Sequence, residues 1–176
     1  MSDPDTETAV AGGSDARRKE RGGAFRWLWC SLAVVVADQS TKIAAVALLD
    51  PASSVEVIPT LDLVLAYNTG AAFSFLSTAG GWQRWLFIGL AVAICGFILH
   101  WMRDLPRRAR WYPLALSLIL GGAVGNVIDR VRIGAVVDFI DFHVGDWHWP
   151  AFNVADSAIC VGAALLVLGM FRRGPD

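Results

Sequence analysis

Four runs of about twenty mostly apolar residues, separated by charged or polar stretches, constrain this chain more than any other feature. A helix needs about 20 such residues to cross a hydrocarbon core roughly 30 Å thick. The runs lie at residues 27–49, 82–102, 111–129 and 153–171. The expected fold class is therefore an all-α membrane protein with four transmembrane helices. Of the 176 residues, 55% are hydrophobic and 18% charged, against about 25% charged in an average soluble domain, which disfavours a water-soluble enzyme. A formal net charge of −1 leaves no overall basic field to hold nucleic acid. Cys30, Cys95 and Cys160 all sit inside apolar runs. An odd number so placed reads as small buried hydrophobes, not as a disulfide framework or a zinc site.

Orientation follows from the cations, because short loops rich in Lys and Arg stay cytoplasmic. Arg17, Arg18, Lys19, Arg21 and Arg26 precede the first run, Arg103, Arg107, Arg108 and Arg110 join the second to the third, and Arg172 and Arg173 follow the fourth. The loop at 50–81 carries Asp50, Glu56 and Asp62 with no Lys or Arg, and the loop at 130–152 lies on the same side. Both termini are thus expected in the cytoplasm and both long loops outside. Trp27, Trp82, Trp85, Trp101, Trp111 and Trp149 mark the span edges, where an indole favours the headgroup level.

Residues 1–26 are polar before they turn basic and are expected to form a disordered cytoplasmic tail ahead of a single domain at 27–173. The run after Arg26 exceeds the length of a cleaved signal peptide and contains Asp38 and Lys42. Within the first outer loop, residues 55–66 alternate partially, with Val55 and Val57, then Leu61, Leu63 and Leu65, around Pro59. That pattern predicts a small two-stranded β platform on the outer surface.

Ionisable groups within spans cost about 2.5–3.5 kcal/mol each on insertion scales and face protein or water, so each requires a reason. Asp38 and Lys42 in Asp38-Gln39-Ser40-Thr41-Lys42 share a helical face in the favourable order, acid before base, and fit a structural pair. In the third run Gly121 and Gly125 form a small-xxx-small pair that admits a close neighbour, and Asn126 and Asp129 share a face. Asp129 pairs with Arg130 or another cation on one reading, and lines a substrate groove with Asn126 on another; spacing does not choose. Asp138, in Val136-Val137-Asp138-Phe139, and Asp156, in Phe152-Asn153-Val154-Ala155-Asp156-Ser157, are flanked by apolar side chains at the expected outer interface. Two carboxylates brought together there cannot both ionise easily, so one keeps a proton while the other acts as a base toward water. Asn153 and Asp156 also fit an N-cap and a first-turn acid. Asp129 and Asp141 rival either member of the pair. His100, His143 and His148 have no second ligand at metal spacing, and no phosphate-cradling glycine loop occurs.

Taken together these segments resemble the lipoprotein signal peptidases (signal peptidase II) of bacteria over residues 27–171. Five motifs carry the resemblance in the family's order: Asp38-Gln39-Ser40-Thr41-Lys42, Asn68-Thr69-Gly70-Ala71-Ala72-Phe73-Ser74, Gly125-Asn126-Val127-Ile128-Asp129-Arg130, Val136-Val137-Asp138-Phe139, and Phe152-Asn153-Val154-Ala155-Asp156-Ser157. The resemblance implies an intramembrane aspartyl endopeptidase that cuts prolipoproteins before a diacylglyceryl-modified cysteine, without cofactor or metal. It implies a monomer in the bacterial inner membrane, with its site at the outer face and globomycin as inhibitor. By motif position Asp138 and Asp156 are the catalytic pair. Asn68, Gly70, Asn126, Asp129, Arg130 and Asn153 position substrate or inhibitor and support the site, while Asp38 and Lys42 hold the architecture. A groove lined by Gly70, Gly121 and Gly125 is expected to admit an extended peptide, with the loop around Trp147 as its lid. The rival class is a small ion- or proton-coupled transporter subunit, which wants polar groups through the full membrane depth and an inverted repeat. A structural subunit of a membrane complex is a third reading.

Overall fold

A computed structural model describes residues 23–70 and 81–171. It contains four helices long and apolar enough to cross a membrane. Helix α1 spans Leu28–Leu48 and is preceded by a 3-10 turn, Gly23–Trp27. Strands β1 (Val55–Ile58) and β2 (Leu61–Asn68) follow, then α2 (Gln83–Asp104), α3 (Trp111–Ile133), β3 (Val136–Val144), β4 (Trp147–His148) and α4 (Val154–Phe171).

Helix α3 is the centre of the bundle and packs against α4, α1 and α2. Small residues allow these approaches, since little apolar solvent penalty drives helices together in lipid and close van der Waals contact must substitute. A methyl group added at Gly121 would lie 2.7 Å from the Ser31 carbonyl oxygen on α1, and one at Gly125 would lie 2.5 Å from the Asp38 carboxylate. One added at Gly122 would collide with the Ala155 carbonyl on α4. The expected close approach at Gly121 and Gly125 is therefore present, but it serves helix packing; neither glycine lines a peptide groove. Outside, Trp29, Leu32, Val36 and Ile43 on α1 and Trp85, Leu90 and Phe97 on α2 are exposed, the apolar exterior that lipid favours.

Gly122→Ala is expected to destabilise the bundle by about 1–3 kcal/mol through overpacking. Gly89→Ala, where a methyl would meet open space, is expected to cause no loss. Thermal unfolding in micelles checks the pair, and equal midpoints would overturn this view of the α3–α4 contact.

Three boundaries differ from expectation. Asp129-Arg130 marks the expected end of the third span, yet α3 continues to Ile133 and stops where Gly134 turns left-handed at φ 82°, its N–H bonded to the Arg130 carbonyl at 3.2 Å. Both charges are partnered within the protein, so neither has to leave the helix. The tail boundary at residue 26 moves back, because Gly23–Trp27 is ordered against the bundle with Ala24 buried; residues 1–22 lie outside the described residues. The expected two-stranded platform is the β1–β2 hairpin, turning at Pro59, but β3 and β4 extend it to four antiparallel strands in the order β1-β2-β3-β4. The start of β3 is buried on both faces from Val136 to Phe139, so its sequence lacks the alternation that betrays a half-exposed strand.

Candidate active site

Pairing of β3 with β2 sets Ala66 opposite Asp138 and Asn68 opposite Val136. From that diagonal position Asn68 Nδ2 donates to Asp138 Oδ2 at 3.2 Å. The segment after β4 then folds back on β3: the Phe152 N–H bonds to the Ile140 carbonyl at 3.0 Å, and the Phe152 carbonyl accepts the N–H groups of Phe139 and Ile140. This return delivers the first turn of α4, and with it Asp156, beside Asp138.

Asn153 closes the join. Its Oδ1 accepts the Asp156 N–H at 2.9 Å, the bond of an N-cap to the third helical residue. Its Nδ2 donates to Asp138 Oδ1 at 2.7 Å and to the Val137 carbonyl at 3.2 Å. One fully buried side chain therefore caps α4 and fixes a carboxylate on another element. Asn126 of α3 donates from Nδ2 to Asp156 Oδ1 at 2.8 Å. Burial is the main cause that pushes the Asp138 carboxyl up to about 6, and the negative charge of Asp156 pushes the same way; hydrogen bonds from Asn68 and Asn153 and the charge of Lys42 oppose it. Two acids whose charges oppose each other in a buried setting favour a single shared proton.

Both carboxylates line a cavity of about 710 Å³ together with Asn68, Asn126, Arg130 and Ser157. Its apolar walls include Tyr67, Trp149, Phe152 and, along α4, Ile159, Cys160 and Val161. Behind the cavity lies a buried ionic cluster. Lys42 Nζ is 2.9 Å from Asp38 and 2.7 Å from Asp129, and donates to Asn126 Oδ1 at 3.0 Å. Asp38 also accepts the Ala155 N–H at 2.9 Å, while Asp129 accepts the Val137 N–H at 3.3 Å. Among the described residues, no group of three His, Cys, Asp or Glu side chains is arranged to hold a metal ion.

Residues 30–172 match the family model described as signal peptidase (SPase) II. The chain belongs to the signal peptidase II family. It is 54% identical over 149 residues to a lipoprotein signal peptidase of Aeromonas hydrophila, covering 84% of this chain and 89% of that protein. With a lipoprotein signal peptidase of Pseudoalteromonas atlantica it shares 51% over 153 residues, 87% of this chain and 93% of the other. A solved structure of a bacterial membrane enzyme superposes with a TM-score of 0.76 at 31% identity, covering 86% of this chain and 90% of that one. A second superposes at 0.75 and 30% identity, covering 88% and 98%.

Within this signal peptidase II chain, the residues singled out from sequence divide into two groups. Asp138, Asp156, Asn68, Asn126 and Arg130 face the cavity. Asp129 and Asn153 do not line it: the first is the counter-ion of Lys42, as the cation-pairing alternative has it, and the second is the fully buried cap. Of the two parts expected of them, positioning substrate and supporting the site, their place behind the cavity wall fits the second. Asp141 is no rival for the pair, since it bonds His148 Nδ1 at 2.8 Å on the sheet. Gly70 lies at the edge of the described residues, its carbonyl held by Arg130 at 2.9 Å and its N–H by Asn68 Oδ1 at 3.0 Å; Ala71-Ala72-Phe73-Ser74 falls outside them. In the loop expected to act as a lid, Trp149 joins Tyr67 and Phe152 in the cavity wall, with Trp147 packed against it edge-on at 6.1 Å.

Two features escaped the sequence reading. Gln39 spans the ionic cluster, donating to Asp129 Oδ1 at 3.0 Å and to the Gly125 carbonyl at 3.3 Å. Its position beside Asp38 is a signal only when the partner helix is known. Cys160 is exposed and lines the cavity, not buried as expected; its i+4 spacing from Asp156 already put both on one face of α4.

Proposed function

We propose that this chain is an intramembrane aspartyl endopeptidase that removes the signal peptide of diacylglyceryl-modified prolipoproteins, cutting before the lipidated cysteine, with Asp138 and Asp156 as its catalytic pair. The observation that carries the reading is the single Asn153 side chain joining the two acids at the wall of one cavity. Relatives named lipoprotein signal peptidase supply the substrate class.

In this reading Asp138 holds the shared proton, because burial and the Asp156 charge both favour its neutral form. Asp156 takes a proton from water as the water oxygen attacks the peptide carbonyl carbon, while Asp138 gives its proton to the carbonyl oxygen. Collapse of the resulting diol breaks the C–N bond. Asp156 then passes its proton to the leaving amine, one diol hydroxyl returns a proton to Asp138, and the pair is restored. Asn68 and Arg130 face peptide groups that lipid cannot satisfy. The Ile159–Val161 side of the cavity suits apolar substrate. The charge bias of the loops supports a bilayer orientation with the site at the outer face and both termini cytoplasmic, and globomycin, a cyclic lipopeptide, fits a cavity of mixed polar and apolar lining. The protein acts as a monomer, and both acids belong to one cavity lined from β2, β3 and parts of α3 and α4, not to a path along the whole bundle.

Purified protein is expected to cleave a diacylglyceryl-modified prolipoprotein and to leave the unlipidated precursor intact; equal cleavage of both, or of neither, would contradict the assignment. The pH dependence has a definite sign. Below about 6 Asp138 is protonated, and above it the pair becomes doubly ionised and lacks an acid. kcat/KM is therefore expected to fall about tenfold per unit as pH rises beyond that limb, with a second fall at lower pH once both carboxyls are protonated. A profile that climbs steadily from pH 5 to 9 would contradict the shared proton.

A further inference from the structure

We propose that Lys42, beyond holding helices together, is a positioning residue for cleavage that aims the Asn126 amide at Asp156. The inference rests on the Asp138–Asp156 reading and extends it one step behind the cavity wall.

A structural ion pair needs only the carboxylates, and Lys42 has both, Asp38 at 2.9 Å and Asp129 at 2.7 Å. Its third contact is to Asn126 Oδ1 at 3.0 Å. An ammonium has three N–H donors and no acceptor, so all three are accounted for and every partner must present an oxygen. That decides which way a side-chain amide faces. With Oδ1 turned to Lys42, Nδ2 of Asn126 must point the other way, where it meets Asp156 Oδ1 at 2.8 Å. Flipped, the same amide would set an NH₂ against the ammonium and an oxygen against a carboxylate, two repulsive contacts in a buried place. Asn153 Nδ2 also approaches Asn126 Oδ1, but at 3.4 Å and while bonded more closely to Asp138 at 2.7 Å. Lys42 is thus the stronger lock on the amide.

The route is short and passes through side chains that are each held at both ends. Asp38 and Asp129 fix Lys42, Lys42 fixes Asn126, and Asn126 fixes the carboxylate proposed to take the proton from water. The charged groups facing this route are Asp38 on α1, Asp129 and Arg130 on α3, Asp156 on α4 and Asp138 on β3. Lys42 therefore also contributes positive charge toward the pair.

The test uses the full purified chain in micelles with a lipidated prolipoprotein, following kcat, KM, thermal midpoint and pH profile. In Lys42→Met the limb above pH 6 is expected to move to higher pH, because the lost cation no longer favours ionised Asp138. Lys42→Met/Asp129→Asn removes one charge of each sign, so that Asp38 is the one acid left without its cation instead of two. It is expected to lose about a hundredfold in kcat, the scale of an ångström's misplacement, with KM within about twofold. Asn126→Ala leaves all three charges of the cluster in place and cuts the same link, so it carries the test even if neither Lys42 variant folds; a similar kcat loss is expected, with a lower midpoint because its buried hydrogen bonds to Lys42 and Asp156 are lost. Combined with Lys42→Met/Asp129→Asn, it should add no further loss, since both interrupt one route. Wild-type kcat in a folded Lys42 variant or in Asn126→Ala, or losses that multiply, would overturn the proposal. Asp138→Asn and Asp156→Asn run in the same assay separate the two readings: normal cleavage by either removes the catalytic pair itself, whatever Lys42 does.

Discussion

Asp138→Asn and Asp156→Asn are each expected to cut prolipoprotein cleavage by about 10³- to 10⁴-fold, the upper part of the range for a general acid or base. An asparagine at 138 has no proton to give to a developing oxyanion, and one at 156 cannot take a proton from water. The fold should survive both changes. Asp138 is buried and its charge is opposed by Asp156, so removing either charge relieves repulsion, and an amide oxygen can still accept from Asn153 or Asn126. The thermal midpoint is accordingly expected to hold or rise, and globomycin binding to persist. The measurement is single-turnover cleavage of a lipidated substrate by micelle-purified variants, with inhibitor binding as the folding control. A folded variant working at more than about a tenth of the wild-type rate could not have lost a group that takes part in proton transfer.

Asp38→Ala is expected to have the largest effect on stability, about 3 kcal/mol, from weakening a buried ionic cluster and orphaning a buried N–H together. Asp38 is fully buried and serves two elements at once. It faces Lys42 at 2.9 Å within α1 and accepts the Ala155 N–H at 2.9 Å from the first turn of α4. Truncation strips Lys42 of one of its two counter-charges and orphans a helix-start N–H inside the bundle, where no water replaces the lost acceptor. Glu56→Ala, on the exposed edge strand β1, serves as the matched loss of an acid and is expected to stay within about 0.5 kcal/mol. Folded yield and unfolding midpoint in micelles distinguish the two. Equal midpoints would mean that the Asp38–Lys42–Asp129 cluster adds nothing to stability.

The spans were legible because lipid imposes length and polarity on every residue it touches. The exterior of α1 and α2 is apolar for that reason, and a window of twenty residues suffices to find it. The extra turn of α3 was not legible, since charge in the abstract argues for leaving the membrane, and only the presence of Lys42 against Asp129 makes it stay. Strand β3 was hidden for a related reason: with both faces covered, Val136–Phe139 shows no alternation to read. Asn153 illustrates a residue that does two things at once, as its one amide caps α4 and bonds Asp138. Spacing left Asp129 between cation pairing and the groove, and only folding sets it against Lys42 of α1, as it sets Gly125 against Asp38.

By itself, then, the sequence determined four membrane-spanning helices, a β element between the first two and the family, through hydrophobic length, alternation and five short motifs, all of which are properties of neighbours along the chain. Tertiary structure alone decided which carboxylates meet. Asp138 and Asp156 come together because Phe152 returns to pair with Ile140 and Asn153 bridges the join, whereas Asp141 hydrogen-bonds His148 on the sheet and Asp129 is drawn away by the buried charge of Lys42. The physical reason is that the pull of one buried charge on another depends on their separation and on the dielectric between them, and neither quantity exists until the chain has folded.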